Sequence, residues 1–189
     1  MMLFVATVAA RAEAARGARL TAAERSRLEA LYQSHHDVVW RVLRRNGLNE
    51  AQADDGAQQV FLVAMARLSD IVPASERAFL CGSAVLVARK LKQKHVREVL
   101  SDEVPEQVSR SNPDAELEHR RNRRLLDSLL QRMADDLRAV FVLQEIEGLS
   151  KRETADALGI PQGTVASRLR RAKVGFEELL QQTLAGGVR

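Results

Sequence analysis

Between Pro161 and Lys173 the chain carries four cations, Arg168, Arg170, Arg171 and Lys173, and no acid. On a helix turning about 100° per residue, Ser167, Arg170 and Arg171 share one side, with Arg168 and Lys173 on its flanks. Val165, Leu169, Ala172 and Phe176 share the opposite side. The apolar side has the makings of a core stripe. The basic side is a donor array, because a guanidinium fork matches both a guanine edge and a phosphate. Thr164 stands in the first turn, where free backbone N–H groups also attract phosphate. A basic helix face is often only a solvated one, so what precedes the helix matters.

What precedes it is a hinge. Ser150-Lys151-Arg152-Glu153 has the form of a capping box, in which the serine oxygen and the glutamate each satisfy one backbone N–H at a helix start. The short helix it opens can bury Ala155 and Leu158. Gly159 stands where the chain reverses, Ile160 plugs the gap, and Pro161 blocks continuation of the first helix. This grouping predicts a helix-turn-helix, in which one helix crosses the backbone of a duplex while the next enters its major groove.

Other chemistry is weaker. His35-His36-Asp37 has metal-ligand residue types, but neighbours on a helix point in different directions and do not converge on one ion. His35 is expected to face inward and His36 outward, with Tyr32 and Trp40 as core anchors. Glu145 and Glu147 flank the turn before the hinge without a pocket signature. The run His119–Arg124 is a solvated helix face. Cys81 is the only cysteine, which excludes an intrachain disulfide and a cysteine-based zinc cluster and suits a reducing cytosol. No Gly-rich phosphate loop or nucleophile motif is present. Metal and cofactor are both expected to be absent.

The elements that must position these residues are all helical. The chain has 189 residues, 46% of them hydrophobic and only 4% aromatic, which suits small helical bundles. A net charge of +4 leans towards a polyanionic partner. Thr21-Ala22-Ala23-Glu24 is another capping box, followed by Leu28, Leu31, His35, Val38, Val39 and Val42 at helical spacing. A second helix is expected from Glu50 to Leu68. A third follows Pro73 and Ser75 and ends near Glu98 in a basic run. "LSDEVPEQVSRSNPD" then breaks the periodicity with two prolines and four acids. After Asn112-Pro113 helices resume, one to about Met133 and another from Asp135 to Glu147. The expected fold is all-α, with two small helical domains joined by a flexible linker and the helix-turn-helix in the second. The divisions are an extension over 1–20, a first domain over 21–99, a linker over 100–112 and a second domain over 113–184. Met1–Ala10 is apolar but lacks a preceding basic region and is too short to span a bilayer. It reads as an extension or a short docking helix, and the location is expected to be cytoplasmic.

"DDLRAVFVLQEIEGLSKRETADALGIPQGTVASRLRRAK" closely resembles the promoter-binding domain of extracytoplasmic-function (ECF) sigma factors. "LEALYQSHHDVVWRVLRR", "ADDGAQQVFLVAMARL" and "RAFLCGSAVLVARKLKQKH" resemble that family's N-terminal domain in the same order. The resemblance implies a non-enzymatic subunit that binds RNA polymerase core at its clamp and flap and directs it to promoter DNA. Ser167, Arg168, Arg170 and Arg171 match the helix that reads the −35 duplex, with Thr164 and Lys173 beside them. The loop 69–75 and the helix from Phe79 match the segment that melts and reads the −10 element. Arg89, Lys90, Lys92 and Lys94 are its candidate backbone contacts. Asp55, Gln58, Gln59, Phe61 and Leu62 match polymerase-binding positions. An anti-sigma factor is the further partner implied. The chain departs from the family pattern at Gly56, Gln59, Met65, Phe79 and Ala166.

Two promoter elements one and a half duplex turns apart, roughly 50 Å, lie beyond the reach of one body of about 80 residues. A dozen extended linker residues add up to about 40 Å. The competing readings are a conventional dimeric helix-turn-helix regulator and a metal-dependent hydrolase built on the histidines.

Overall fold

Thr21 starts the first helix as its capping box suggests. Its hydroxyl accepts the Glu24 backbone N–H at 3.2 Å, and Glu24 Oε2 accepts the Thr21 N–H at 2.9 Å. The computed structural model that shows this describes residues 20–99 and 115–186. The expected linker over 100–112 and all but the last residue of the expected extension over 1–20 lie outside them. Helix α1 spans Ala22–Arg45, α2 Glu50–Ala66 and α3 Glu76–Val99, with a 3-10 turn at Pro73–Ser75. Then come α4 Ala115–Gln131, α5 Asp135–Phe141, a π turn at Val142–Ile146, α6 Lys151–Leu158 and α7 Gln162–Gly186. No strand occurs among the described residues.

Helices α1, α2 and α3 pack mutually into a three-helix bundle. Leu43, Val60 and Leu80 are among its fully buried side chains. Gly56 allows α2 to approach α1, since a Cβ there would stand 3.1 Å from Leu43 Cδ2. A larger side chain there would not fit without displacing Leu43. Asn49 and Gln52 form a capping box for α2 that the sequence reading missed. Arg27 of α1 pins the connection to α3 by donating to the Leu68 carbonyl at 2.9 Å and to the Ile71 carbonyl. It also pairs with Glu76 at 2.9 Å.

In the C-terminal half, α5 and α6 pack on α7, and the Phe141 and Phe176 rings stack at 4.8 Å between centroids. The corner between α4 and α5 is built on Arg138, which is 3% exposed. Its guanidinium donates to the carbonyls of Leu130 at 2.6 Å, Gln131 at 3.0 Å and Met133 at 2.7 Å. Leu130 and Gln131 stand in the last turn of α4, where carbonyls lack intrahelical donors, and Met133 lies just beyond it. Burial lowers the Arg138 pKa, and Asp135 at 3.3 Å opposes that effect.

Three expectations need correction. The helix expected from Asp135 to Glu147 is not a continuous α-helix. It widens into the π turn, with the Glu147 N–H reaching back five residues to the Val142 carbonyl at 2.9 Å. Tyr32 is not a core anchor but 49% exposed. Trp40 is half-buried, and its indole N–H donates to Asp54 at 2.8 Å. His35 and His36 are both half-buried, so the inward–outward contrast between them is absent.

Replacing Arg138 with Met keeps much of the volume but removes the guanidinium donor from three carbonyls, of which Leu130 keeps the Met133 N–H at 3.1 Å. We expect a loss of about 2–4 kcal/mol. Thermal unfolding beside Arg121→Met, an exposed control expected to cost under about 0.5 kcal/mol, measures it.

Candidate nucleic-acid interface

Ser150 opens α6 by accepting the Glu153 N–H at 3.2 Å, and Glu153 Oε2 takes the Ser150 N–H at 2.8 Å. Thr154, Ala155 and Leu158 are buried beneath it. Gly159 ends the helix at φ 63 and ψ 38, the left-handed conformation that disfavours any side chain. Ile160 packs against the core, and Pro161 precedes α7. The expected hinge is present in every part.

Val165 and Ala172 of α7 have no exposure, and Leu169 and Phe176 pack beside them. Ser167, Arg170 and Arg171 point to solvent. Neither Arg170 nor Arg171 forms an ion pair among the described residues. The Ser167 hydroxyl is turned back to the Thr164 carbonyl at 3.0 Å. Thr164 is half-buried at the helix start. Arg168 is drawn aside to Asp136 at 3.2 Å, and Lys173 to Glu145 at 3.0 Å. Of the six residues expected here, Arg170 and Arg171 are unengaged cations on an outward face.

Helix α3 carries the second candidate set. Phe79 is half-buried, with the Arg67 guanidinium 5.5 Å from its ring centre. Lys90 and Lys94 are exposed. Lys92 pairs with Asp135 of the other half at 2.7 Å. Burial lowers the Arg89 pKa, while Asp135 raises it, Arg168 lowers it and Asp136 raises it. The basic residues of α3 and the start of α5 therefore face each other.

The third set lies on α2. Asp55 and Gln58 are exposed, Gln59 and Leu62 half-buried and Phe61 8% exposed. Gln58, Phe61 and Leu62 line a groove of about 460 Å³ with Tyr32, His36 and Met65. The rings of Tyr32 and Phe61 meet at 4.9 Å. Exposed Tyr32 is thus a groove wall, a role that its place in the α1 apolar pattern concealed. Among the described residues no three His, Cys, Asp or Glu side chains gather to hold a metal ion, and no helix is long and apolar enough to cross a membrane.

The family pattern described as Sigma-70, region 4 matches residues 123–174, which contain the whole hinge and the basic part of α7. The ECF RNA polymerase sigma factor SigL of Mycobacterium tuberculosis is 30% identical over 172 residues, covering 89% of this chain and 97% of SigL. The chain belongs to the ECF sigma factors. The ferric citrate uptake sigma factor FecI of Escherichia coli is also 30% identical, over 76% of this chain and 85% of its own. In solved structures, CnrH in complex with the cytosolic domain of CnrY is 26% identical at a TM-score of 0.63, covering 91% and 95% of the two chains. RpoE of Bartonella quintana, at 20% identity and a TM-score of 0.65, shares the fold over 81% and 96%. Full-length similarity of this kind favours a sigma factor over a dimeric regulator.

Two features of this sigma factor escaped the sequence reading. Glu147, set aside as a turn residue, is a buried carboxylate with its side chain 2% exposed. It meets Arg45 at 2.7 Å, Arg77 at 3.4 Å and Arg41 at 3.6 Å, all from the N-terminal bundle. Gly82 of α3 lies against α6, where a Cβ would stand 2.6 Å from the Ala157 carbonyl oxygen. The two halves thus pack against each other through these residues. Cys81, beside this contact, is buried, and its thiol is pushed up to about 12, so it is protonated and unreactive at neutral pH.

The Ser150 hydroxyl, followed by its backbone N–H, holds the Glu153 carboxyl below its ordinary 4.5. A depressed carboxylate stabilises the fold fully above its unfolded pKa and loses that contribution as pH falls through the folded one. Glu153→Gln is therefore expected to melt below the parent at neutral pH and to converge with it as pH drops below 4.5. Parallel melting curves across that window would contradict the cap assignment.

Proposed function

We propose that residues 113–184 of this sigma factor read the −35 promoter duplex through α7, and that residues 21–99 engage polymerase core and the −10 strand. The observation that carries the first part is the sidedness of α7: Val165 and Ala172 buried, Arg170 and Arg171 unengaged and outward. In the major groove these two arginines supply forks for base edges and phosphates. Ser167 turns from Thr164 towards the duplex. Thr164 lies at the helix start, and Arg168 and Lys173 hold phosphates on either flank.

On α3, Arg89, Lys90, Lys92 and Lys94 track the backbone of the melted −10 strand, and half-buried Phe79 offers a ring edge for an unstacked base. The α2 groove supports the polymerase contact. Its apolar floor of Phe61 and Leu62, with Gln58 and Asp55 at the rim, fits a mixed apolar and basic helical surface such as the polymerase clamp. The C-terminal domain meets the flap. The protein works in the cytoplasm and promotes initiation without a reaction of its own. CnrH with CnrY, and RpoE with the anti-sigma factor NepR, support an anti-sigma partner here as well.

Arg171→Ala is expected to weaken binding to a −35 duplex by about 1–3 kcal/mol at one salt concentration, with retention on polymerase core unchanged. Leu62→Asp is expected to do the reverse. Equal duplex binding by Arg171→Ala and the parent protein would remove α7 as the reading helix.

A further inference from the structure

The groove between α1 and α2 is lined by Leu28, Tyr32, His36, Phe61, Leu62 and Met65. Its apolar surface faces solvent, and the Tyr32 ring is left 49% exposed there. Its borders are acidic. Asp54 lines it, and the neighbouring Asp55 is exposed. On α1, Glu29 and Asp37 follow Leu28 and His36 by one position, and both are exposed. No lysine or arginine is among the lining residues. An apolar floor between carboxylates fits an apolar segment that carries cations. Residues 1–19 of this chain have that chemistry. Leu3, Phe4, Val5 and Val8 lie in the apolar run Met1–Ala10, and Arg11, Arg16 and Arg19 follow it against the single acid Glu13.

We propose that Met1–Ala10 docks in the α1–α2 groove of its own chain, with the arginines that follow on the carboxylate border, and so competes with polymerase core for Phe61 and Leu62. The inference rests on the assignment of this groove to polymerase above. The distances allow it. The segment joins the described structure at half-buried Leu20, just ahead of α1. Leu28 stands about 9 Å along α1, and the groove runs about 12 Å further to His36. Residues 11–19 can span up to about 30 Å, enough to reverse and return. Met1–Ala10 then covers at least about 15 Å, the length of the groove. Attachment to the same chain holds the segment at about millimolar effective concentration, so weak docking suffices. Polymerase affinity falls in proportion to the fraction of chains whose groove is open.

The full chain carrying Leu3→Ser and Phe4→Ser loses the apolar anchors without a change of charge. Trp40, the only tryptophan, reports on the groove, because its indole N–H donates at 2.8 Å to Asp54 in the groove wall. A synthetic peptide of residues 1–19 is titrated into this double variant. Trp40 emission is expected to change saturably, with a midpoint of about 0.1–0.5 mM, and to end at the emission of the parent. The same peptide with both serines is expected to leave it unchanged.

Binding to purified polymerase core is then measured. The double variant and a chain lacking residues 2–19 are both expected to bind about three- to ten-fold tighter than the parent. Excess peptide of residues 1–19 is expected to reverse the gain. No response of Trp40 to the peptide, with equal core binding by all three proteins, overturns the docking and leaves the polymerase reading standing. A peptide that docks while core binding is the same for all three overturns the competition. Parent emission that varies with protein concentration assigns the groove to the tail of a second copy and overturns docking within one chain. Failure of every form to bind core, with peptide docking intact, overturns the polymerase reading and the competition but not the docked segment.

Discussion

One buried stripe on α7 decides which face of that helix is open to a partner. Val165 and Ala172 are fully enclosed, with Leu169 and Phe176 beside them against α5 and its neighbours. A helix has no freedom to turn once such a stripe is seated, because one residue of rotation would expose it and bury arginine. Arg170 and Arg171 therefore face outward as a consequence of core packing. The left-handed Gly159 sets the angle at which α7 leaves α6, and the Ser150–Glu153 box fixes where α6 begins. The outward basic face of α7 is thus a product of hydrophobic burial and two local backbone devices.

Two buried charges then connect this unit to the rest. Arg138 satisfies the carbonyls that end α4 and lies 3.4 Å from the Asn46 carbonyl of the first bundle. Glu147 does the converse, sinking a carboxylate among arginines of α1 and α3. The π turn matters to this pairing. By adding a residue to one turn it brings Glu147 to the end of the element with its N–H on the Val142 carbonyl, and its side chain enters the contact between the halves. Buried ion clusters of this kind add little net stability but are sensitive to loss of one partner. They favour an interface that is either fully formed or fully open.

Local signals in the chain were legible where the physics is local. The boxes at Thr21 and Ser150, the reversal at Gly159 and the α7 stripe each depend on residues within a few turns, and each occurs as read. The Asn49–Gln52 box is equally local, in the quieter asparagine and glutamine form of the same pattern. Arg138, Glu147 and Tyr32 were not legible. Arg138 pairs with Asn46 across 92 positions and Glu147 with Arg45 across 102, so no window of sequence contains both members. Tyr32 occupies a helical phase that borders the core, and only the position of Phe61 on α2 shows that it walls a groove instead. Gly56, a departure from the family pattern, is the clearance that lets α2 approach Leu43.

The central claim is that this chain confers promoter-directed initiation on RNA polymerase. Run-off transcription with purified polymerase core, on DNA carrying promoters recovered with the protein from its own cells, tests it most directly. The account predicts a discrete transcript only when the protein is added to core. Core and protein together giving no transcript, while the protein alone occupies a palindromic duplex as a dimer, would contradict it.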